Sequence, residues 1–119
     1  RDLRMSRGLG DVYKRQVITV IFNNRNLGMV RQWQSLIYDH RYSQTSLENR
    51  SPDFVKFADA FGLKGRRVTQ PSELEEAITE ALAESAQGRG YVIDCAINAD
   101  EMVHPMVNGG HHITEFLLS

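Results

Sequence analysis

The run Asn23-Asn24-Arg25-Asn26-Leu27-Gly28-Met29-Val30-Arg31-Gln32-Trp33-Gln34 holds the residues best suited to chemistry. An asparagine side chain offers a neutral carbonyl oxygen, and magnesium takes hard oxygen ligands in a near-octahedral shell shared with phosphates and water. A turn exposing the Asn24 side chain and a backbone carbonyl two residues on could supply two such oxygens. Alone the pair is weak, because asparagine is common in turns for purely conformational reasons. Its position adds weight. The run follows the apolar stretch 17–22 (VITVIF), and in an open α/β sheet ligands bind beyond the carboxyl ends of the strands. Met29 and Trp33, four residues apart on the helix that follows, fit either core packing or a pocket wall.

Other candidates are poorer. Ser43, Thr45 and Ser46 beside His40 lack the surroundings of a nucleophile elbow and read as a solvated loop. His104, His111 and His112 lack the helical spacing and acidic partner of a zinc site. Gly8-Leu9-Gly10-Asp11 is like a piece of a phosphate loop, but no apolar strand leads into it. Cys95 sits within the apolar stretch 91–97 (YVIDCAI), where a buried, inert thiol is expected.

The elements that must position the turn follow from periodicity. Residues 17–22 are β-branched and apolar on both faces, the pattern of a central parallel strand covered by helices. From Leu27, the residues Met29, Val30, Trp33, Leu36 and Ile37 form one face of an amphipathic helix, with Arg31, Gln32 and Gln34 facing elsewhere. Residues 38–50 read as a loop. Ser51 is the expected N-cap of a second helix with Pro52 at its first position; Phe54, Phe57, Ala58 and Phe61 line one face until Gly62 stops it. A brief strand is expected at 66–68. Ser72 and Glu75 have the spacing of a capping box, followed by Leu74, Ala77, Ile78, Ala81 and Leu82 at helical spacing and Gly88 as terminator. Residues 91–97 form the last strand, and Pro105, Gly109 and Gly110 favour an irregular tail. This order is that of βα units on a parallel sheet, an α/β fold. Residues 1–16 show no periodicity and are set aside as a leader foreign to the domain at 17–119.

Composition narrows the function classes. Fourteen Lys and Arg against fifteen Asp and Glu, net charge −1, leave no electrostatic footprint for nucleic acid or an anionic membrane. The apolar runs fall far short of the ~20 residues a membrane helix needs. A single cysteine provides no disulfide framework, which suits a reducing, cytoplasmic setting.

From residue 17 onward the sequence resembles the end of the thiamine diphosphate-binding domain of the acetolactate (acetohydroxyacid) synthase catalytic subunit. NNRNLGMVRQWQSLIYDHRYS, SPDFVKFADAFGLKGRRV and HPMVNGG carry the resemblance. It implies the C-terminal half of a thiamine diphosphate-binding fold, a partial parallel sheet with flanking helices. It further implies that the Asn24 side-chain oxygen and the Asn26 backbone carbonyl bind magnesium, which holds the cofactor diphosphate, and that Gly28 and Met29 lie against the cofactor. Trp33, with Val30, would shape the pocket for the second 2-oxoacid, where sulfonylurea and imidazolinone herbicides also bind; Asn108 would sit beside the same channel. The implied activity is decarboxylation of pyruvate and its ligation to a second 2-oxoacid in branched-chain amino-acid synthesis, by a homo-oligomer with a possible regulatory subunit and FAD in the intact enzyme. The family's Gly-Asp-Gly motif has no match upstream of Asn24, Asp11 being too close, and its activating glutamate and flavin site belong to other parts of the enzyme. The chain is therefore expected to be a C-terminal fragment with no catalytic proton-transfer residue, inactive alone. Two other readings stand beside this one: a related enzyme such as glyoxylate carboligase or a 2-oxoacid decarboxylase, or a non-catalytic folding or oligomerisation module.

Overall fold

The structure, a computed structural model, describes residues 17–117; the expectations for residues 1–16, including Gly8 to Asp11, lie outside the described residues. In chain order the elements are β1 (Ile18–Asn23), α1 (Gly28–Leu36), α2 (Phe54–Ala60), β2 (Lys64–Val68), a 3-10 turn (Pro71–Glu73), α3 (Leu74–Ala86), β3 (Tyr91–Ala96), β4 (Met106–Val107) and β5 (Phe116–Leu117). They fall into two compact units, one built from 17–23 and Ser51–Ile97, the other from Asn24–Arg50 and 98–117.

The first unit is the α/β fold expected. Its three strands are all parallel, in the order β1-β3-β2, with Ile18 opposite Tyr91 and Val68 opposite Cys95. Tyr91, Ile93 and Cys95 on one face of β3 join Val68 and the fully buried Ala77 and Ala81 of α3 in the core, with Ile18 packed at its margin. Burial, and the neighbouring Asp94, push the Cys95 thiol above its ordinary pKa, the behaviour expected of a structural cysteine. Helix α2 lies against β2 and β3. Its contact is close because Gly65 has no side chain: a Cβ there would sit 3.1 Å from the Val92 carbonyl and 3.6 Å from the Ala58 Cβ.

The centre of the sheet is not where the apolar pattern put it. Among the described residues β1 is an edge strand, with Phe22 74% exposed, and β3 is central although it carries the buried Asp94. Apolarity on both faces records what a strand is able to bury; the order of strands is set by the connections and by what is available to cover it. The expected helix faces are likewise only partly covered. On α2 only Ala58 is buried while the exposed Phe57 and Phe61 rings meet each other at a tilt, and on α3 Leu74, Ile78 and Leu82 stay exposed. Two caps also move. The cap of α2 is Asp53, not Ser51, because its carboxylate accepts both the Val55 and Lys56 N–H groups; Pro52 then lies outside the helix. The capping box is Gln70 with Glu73, not Ser72 with Glu75, because Pro71 pre-sets the first helical φ and makes Gln70 the cap; Glu73 accepts from the backbones of Thr69 and Gln70. Gly62 and Gly88, at φ +71° and +85°, end their helices as expected.

Glu84, on α3, is held by Arg89 and by Lys64 at 2.7 Å, and these hydrogen bonds lower its pKa from 4.5 to about 2. A depressed carboxylate stabilises the fold above its unfolded pKa, and that stability drains away as pH falls through the folded value. The urea midpoint of the wild type should therefore exceed that of Glu84→Gln at neutral pH, the gap closing between pH 4.5 and about 2. Parallel curves across that window would remove Glu84 from the acid response.

The second unit holds α1, the 38–50 loop and the tail. The tail, expected to be irregular, contains the short antiparallel pair β4–β5, with Met106 opposite Leu117 and Val107 opposite Phe116. No helix among the described residues is long and apolar enough to cross a membrane.

Candidate functional site

Asn24, Arg25 and Asn26 form a closed turn at the entrance to α1. The Asn26 N–H donates to Asn24 Oδ1 at 3.1 Å, and Asn26 Nδ2 donates back to the Asn24 carbonyl at 2.8 Å. Each asparagine side chain thus replaces a backbone partner, the reason this residue type suits a turn whose middle residue, Arg25, has φ +54°. The turn is tied to the following loop by Leu27 N–H to the Thr45 carbonyl, 2.9 Å, and Leu47 N–H to the Arg25 carbonyl, 2.8 Å. Asn26 faces Ser46 in this bridge, which leaves the Asn26 carbonyl outside the ladder. Gly28 closes the cradle: a Cβ there would lie 2.8 Å from Asn24 Nδ2. The turn therefore gathers three of the expected site residues, Asn24, Asn26 and Gly28. Its chemistry is that of neutral oxygen donors two residues apart, Asn24 Oδ1 keeping a second lone pair beyond the one it uses.

Helix α1 has its amphipathicity reversed relative to expectation. Met29, Val30, Trp33 and Leu36 are exposed, Trp33 at 48%, whereas Gln32 is buried at 3%. Core packing is thus not the role of Trp33 within the described residues. The polar face is covered from within the unit: Arg31 pairs with Asp100 at 2.7 Å and stacks over the Tyr42 ring at 3.9 Å, Ser35 meets the Tyr42 hydroxyl, and Gln34 reaches the Ser43 carbonyl. Gln32 grips the backbone of Val103 in the tail. Sequence reasoning passed over Gln32. The signal available was its place on the stripe Gly28, Gln32, Ser35, opposite the apolar face of the helix.

Asn108 follows β4, and its carbonyl accepts the His111 N–H at 3.1 Å. Its side-chain Oδ1 is buried without a hydrogen-bond partner among the described residues. The turn, the exposed face of α1 and Asn108 all belong to the second unit.

Residues 12–95 match the family described as thiamine pyrophosphate enzyme, C-terminal TPP binding domain. The chain is 40% identical over 107 residues to the acetolactate synthase isozyme 3 large subunit of Escherichia coli K12, an alignment spanning 90% of this chain and 18% of that protein. With the acetolactate synthase of Mycobacterium leprae the identity is 47% over 93 residues, covering 76% and 15%. With the mitochondrial catalytic subunit of acetolactate synthase from Saccharomyces cerevisiae it is 44% over 98 residues, covering 82% and 14%. The chain spans less than a fifth of the length of these relatives. With a family match over more than half its length, the chain belongs to the C-terminal TPP-binding domain family of the thiamine pyrophosphate enzymes.

Proposed function

We propose that this chain forms part of an acetolactate synthase and supplies the turn that anchors magnesium and the diphosphate of thiamine diphosphate. The observation carrying this reading is the Asn24–Asn26 turn closed over Gly28. It fits the ion by its donor set: Asn24 Oδ1 and the Asn26 carbonyl are hard, neutral oxygens, and magnesium bound through few protein groups keeps room for phosphate oxygens and water. Gly28 and Met29 would lie against the cofactor, and the exposed Val30 and Trp33, with Asn108, would line the pocket for the second 2-oxoacid. When bound, thiamine diphosphate supplies the nucleophilic carbon that allows pyruvate to lose carbon dioxide and join that acceptor. This chain's own residues anchor, orient and exclude water; none of those at the site moves a proton. The intact enzyme would carry FAD elsewhere, act on 2-oxoacids as a homo-oligomer with a possible regulatory subunit, and reside in the cytoplasm, where the single buried Cys95 is at home.

Product analysis of the full-length enzyme carrying this sequence, given pyruvate with 2-oxobutyrate, tests the reading. Acetolactate and acetohydroxybutyrate are expected; aldehyde alone, or tartronate semialdehyde in a parallel assay supplied with glyoxylate, would assign it to a related enzyme instead. The 119-residue chain by itself is expected to form no acetolactate.

Gly28→Ala separates anchoring from folding. Alanine is the better helix former by up to about 1 kcal/mol, and the atom it would strike is the free end of the Asn24 side chain. Melting temperature should hold while cofactor affinity, measured by titration with thiamine diphosphate and magnesium, falls. Equal affinity in the variant would mean that the Asn24 amide is not needed where Gly28 lets it lie.

A further inference from the structure

Gln32 meets Val103 at two points: its Nε2 donates to the Val103 carbonyl at 2.9 Å and its Oε1 accepts the Val103 N–H at 2.8 Å. Met106 Sδ lies 3.3 Å from the same nitrogen. A primary amide matches a peptide group donor for acceptor, so the pair imitates one rung of a strand ladder. Residues 97–105 form neither helix nor strand, which leaves their position to tethers of this kind. The segment so held leads into Asn108, whose buried Oδ1 lacks a partner among the described residues. An apolar side chain could fill the same space, whereas a buried amide constrains direction and register as well.

We propose that Gln32 is a positioning residue for the acceptor pocket: its side chain pins the 103–108 segment, and with it Asn108, at a set place relative to the α1 face that bears Trp33. The clamp stands on geometry within the second unit; its connection to an acceptor rests on the acetolactate synthase reading. Gln32 itself need touch no substrate.

Two substitutions test it. In the 119-residue chain, Gln32→Met keeps the volume and removes both hydrogen bonds, and should speed exchange of the Val103 amide at least about tenfold, relative to intrinsic rates, without altering β3 amides. Gln32→Glu behaves differently with pH. Charged, it sets a carboxylate against the Val103 carbonyl; protonated, it again offers one donor and one acceptor. Burial raises a carboxyl pKa, so protection should be lost near about pH 8 and recovered near about pH 5. The charged groups around the site are Arg31, Asp100 and Glu101, with His104 beside Val103, and the wild type at the same two pH values sets the baseline for them. In the full-length enzyme, Gln32→Met should raise KM for 2-oxobutyrate more than it lowers kcat, and Gln32→Glu should regain the wild-type ratio of acetohydroxybutyrate to acetolactate at acid pH. Unchanged Val103 exchange in Gln32→Met, or a Gln32→Glu variant indifferent to pH, overturns the clamp. Faster exchange with an unaltered product ratio overturns its role at the pocket. Should the unmutated enzyme make no acetolactate, the functional reading falls and takes the acceptor assignment with it, while the exchange results still decide the clamp.

Discussion

In the full-length enzyme, Trp33→Leu is expected to collapse the preference for 2-oxobutyrate over pyruvate as acceptor while leaving the fold intact. The two acceptors differ by one methylene, whose recognition in an apolar pocket is worth about 1–3 kcal/mol, or roughly 10–200-fold in selectivity. Such selectivity depends on close contact with a large rigid surface, which an indole provides and leucine does not. Exposure of Trp33 in this chain makes the stability side of the prediction sharp: a buried tryptophan cut back would cost about 3–5 kcal/mol, whereas one at 48% exposure has far less packing to lose. A competition assay reading the ratio of acetohydroxybutyrate to acetolactate, run beside a melting curve, checks both halves. Sulfonylurea inhibition should weaken in the same variant. A large fall in melting temperature with the product ratio preserved would make Trp33 a packing residue in the intact enzyme and remove it from the site.

Asn24→Ala should weaken thiamine diphosphate binding by at least about 10–100-fold, the range found when even an outer partner of a metal ligand is removed. Excess magnesium should recover part of the loss, because one of several oxygen ligands is missing and not the whole shell. The substitution also strips the turn of the acceptor for the Asn26 N–H, so Asn24→Asp serves as the control. Aspartate keeps an oxygen for both the turn and the ion, and affinity should stay much nearer the wild type. Titration of each variant with the cofactor at several magnesium concentrations distinguishes these outcomes. If alanine and asparagine bind alike, the turn is conformational only and the magnesium assignment fails.

Much of the fold was legible because local patterns are physically sufficient for it. In the first unit β1 and β3 follow from apolar runs rich in β-branched residues, and the helices from apolar residues at helical spacing with Gly62 and Gly88 at their ends, whereas β2, Lys64–Val68, carries little such signal. The asparagine turn was legible for a similar reason: two asparagines, a residue in the left-handed region and a following glycine are a local device, and the closing hydrogen bonds span only two residues. Gln32 was hidden because its partner lies 71 residues away and is a backbone group, which no side-chain pattern announces. Its polarity pointed to solvent, and only a peptide group arriving from the tail made burial favourable.

The sequence by itself determined the α/β class, the parallel-strand character, the asparagine turn and the family resemblance, all of which depend on residue type and short spacing. Tertiary structure decided which strand is central, which residues cap the helices, and which face of α1 is buried. Those choices turn on long-range pairing and on competition among several adequate caps, where free-energy differences are small and the winning partner is chosen by the whole unit. Asp53 displaced Ser51 because it could satisfy two N–H groups at once, and Gln32 is the buried residue of α1 with both halves of its amide satisfied by the backbone of Val103.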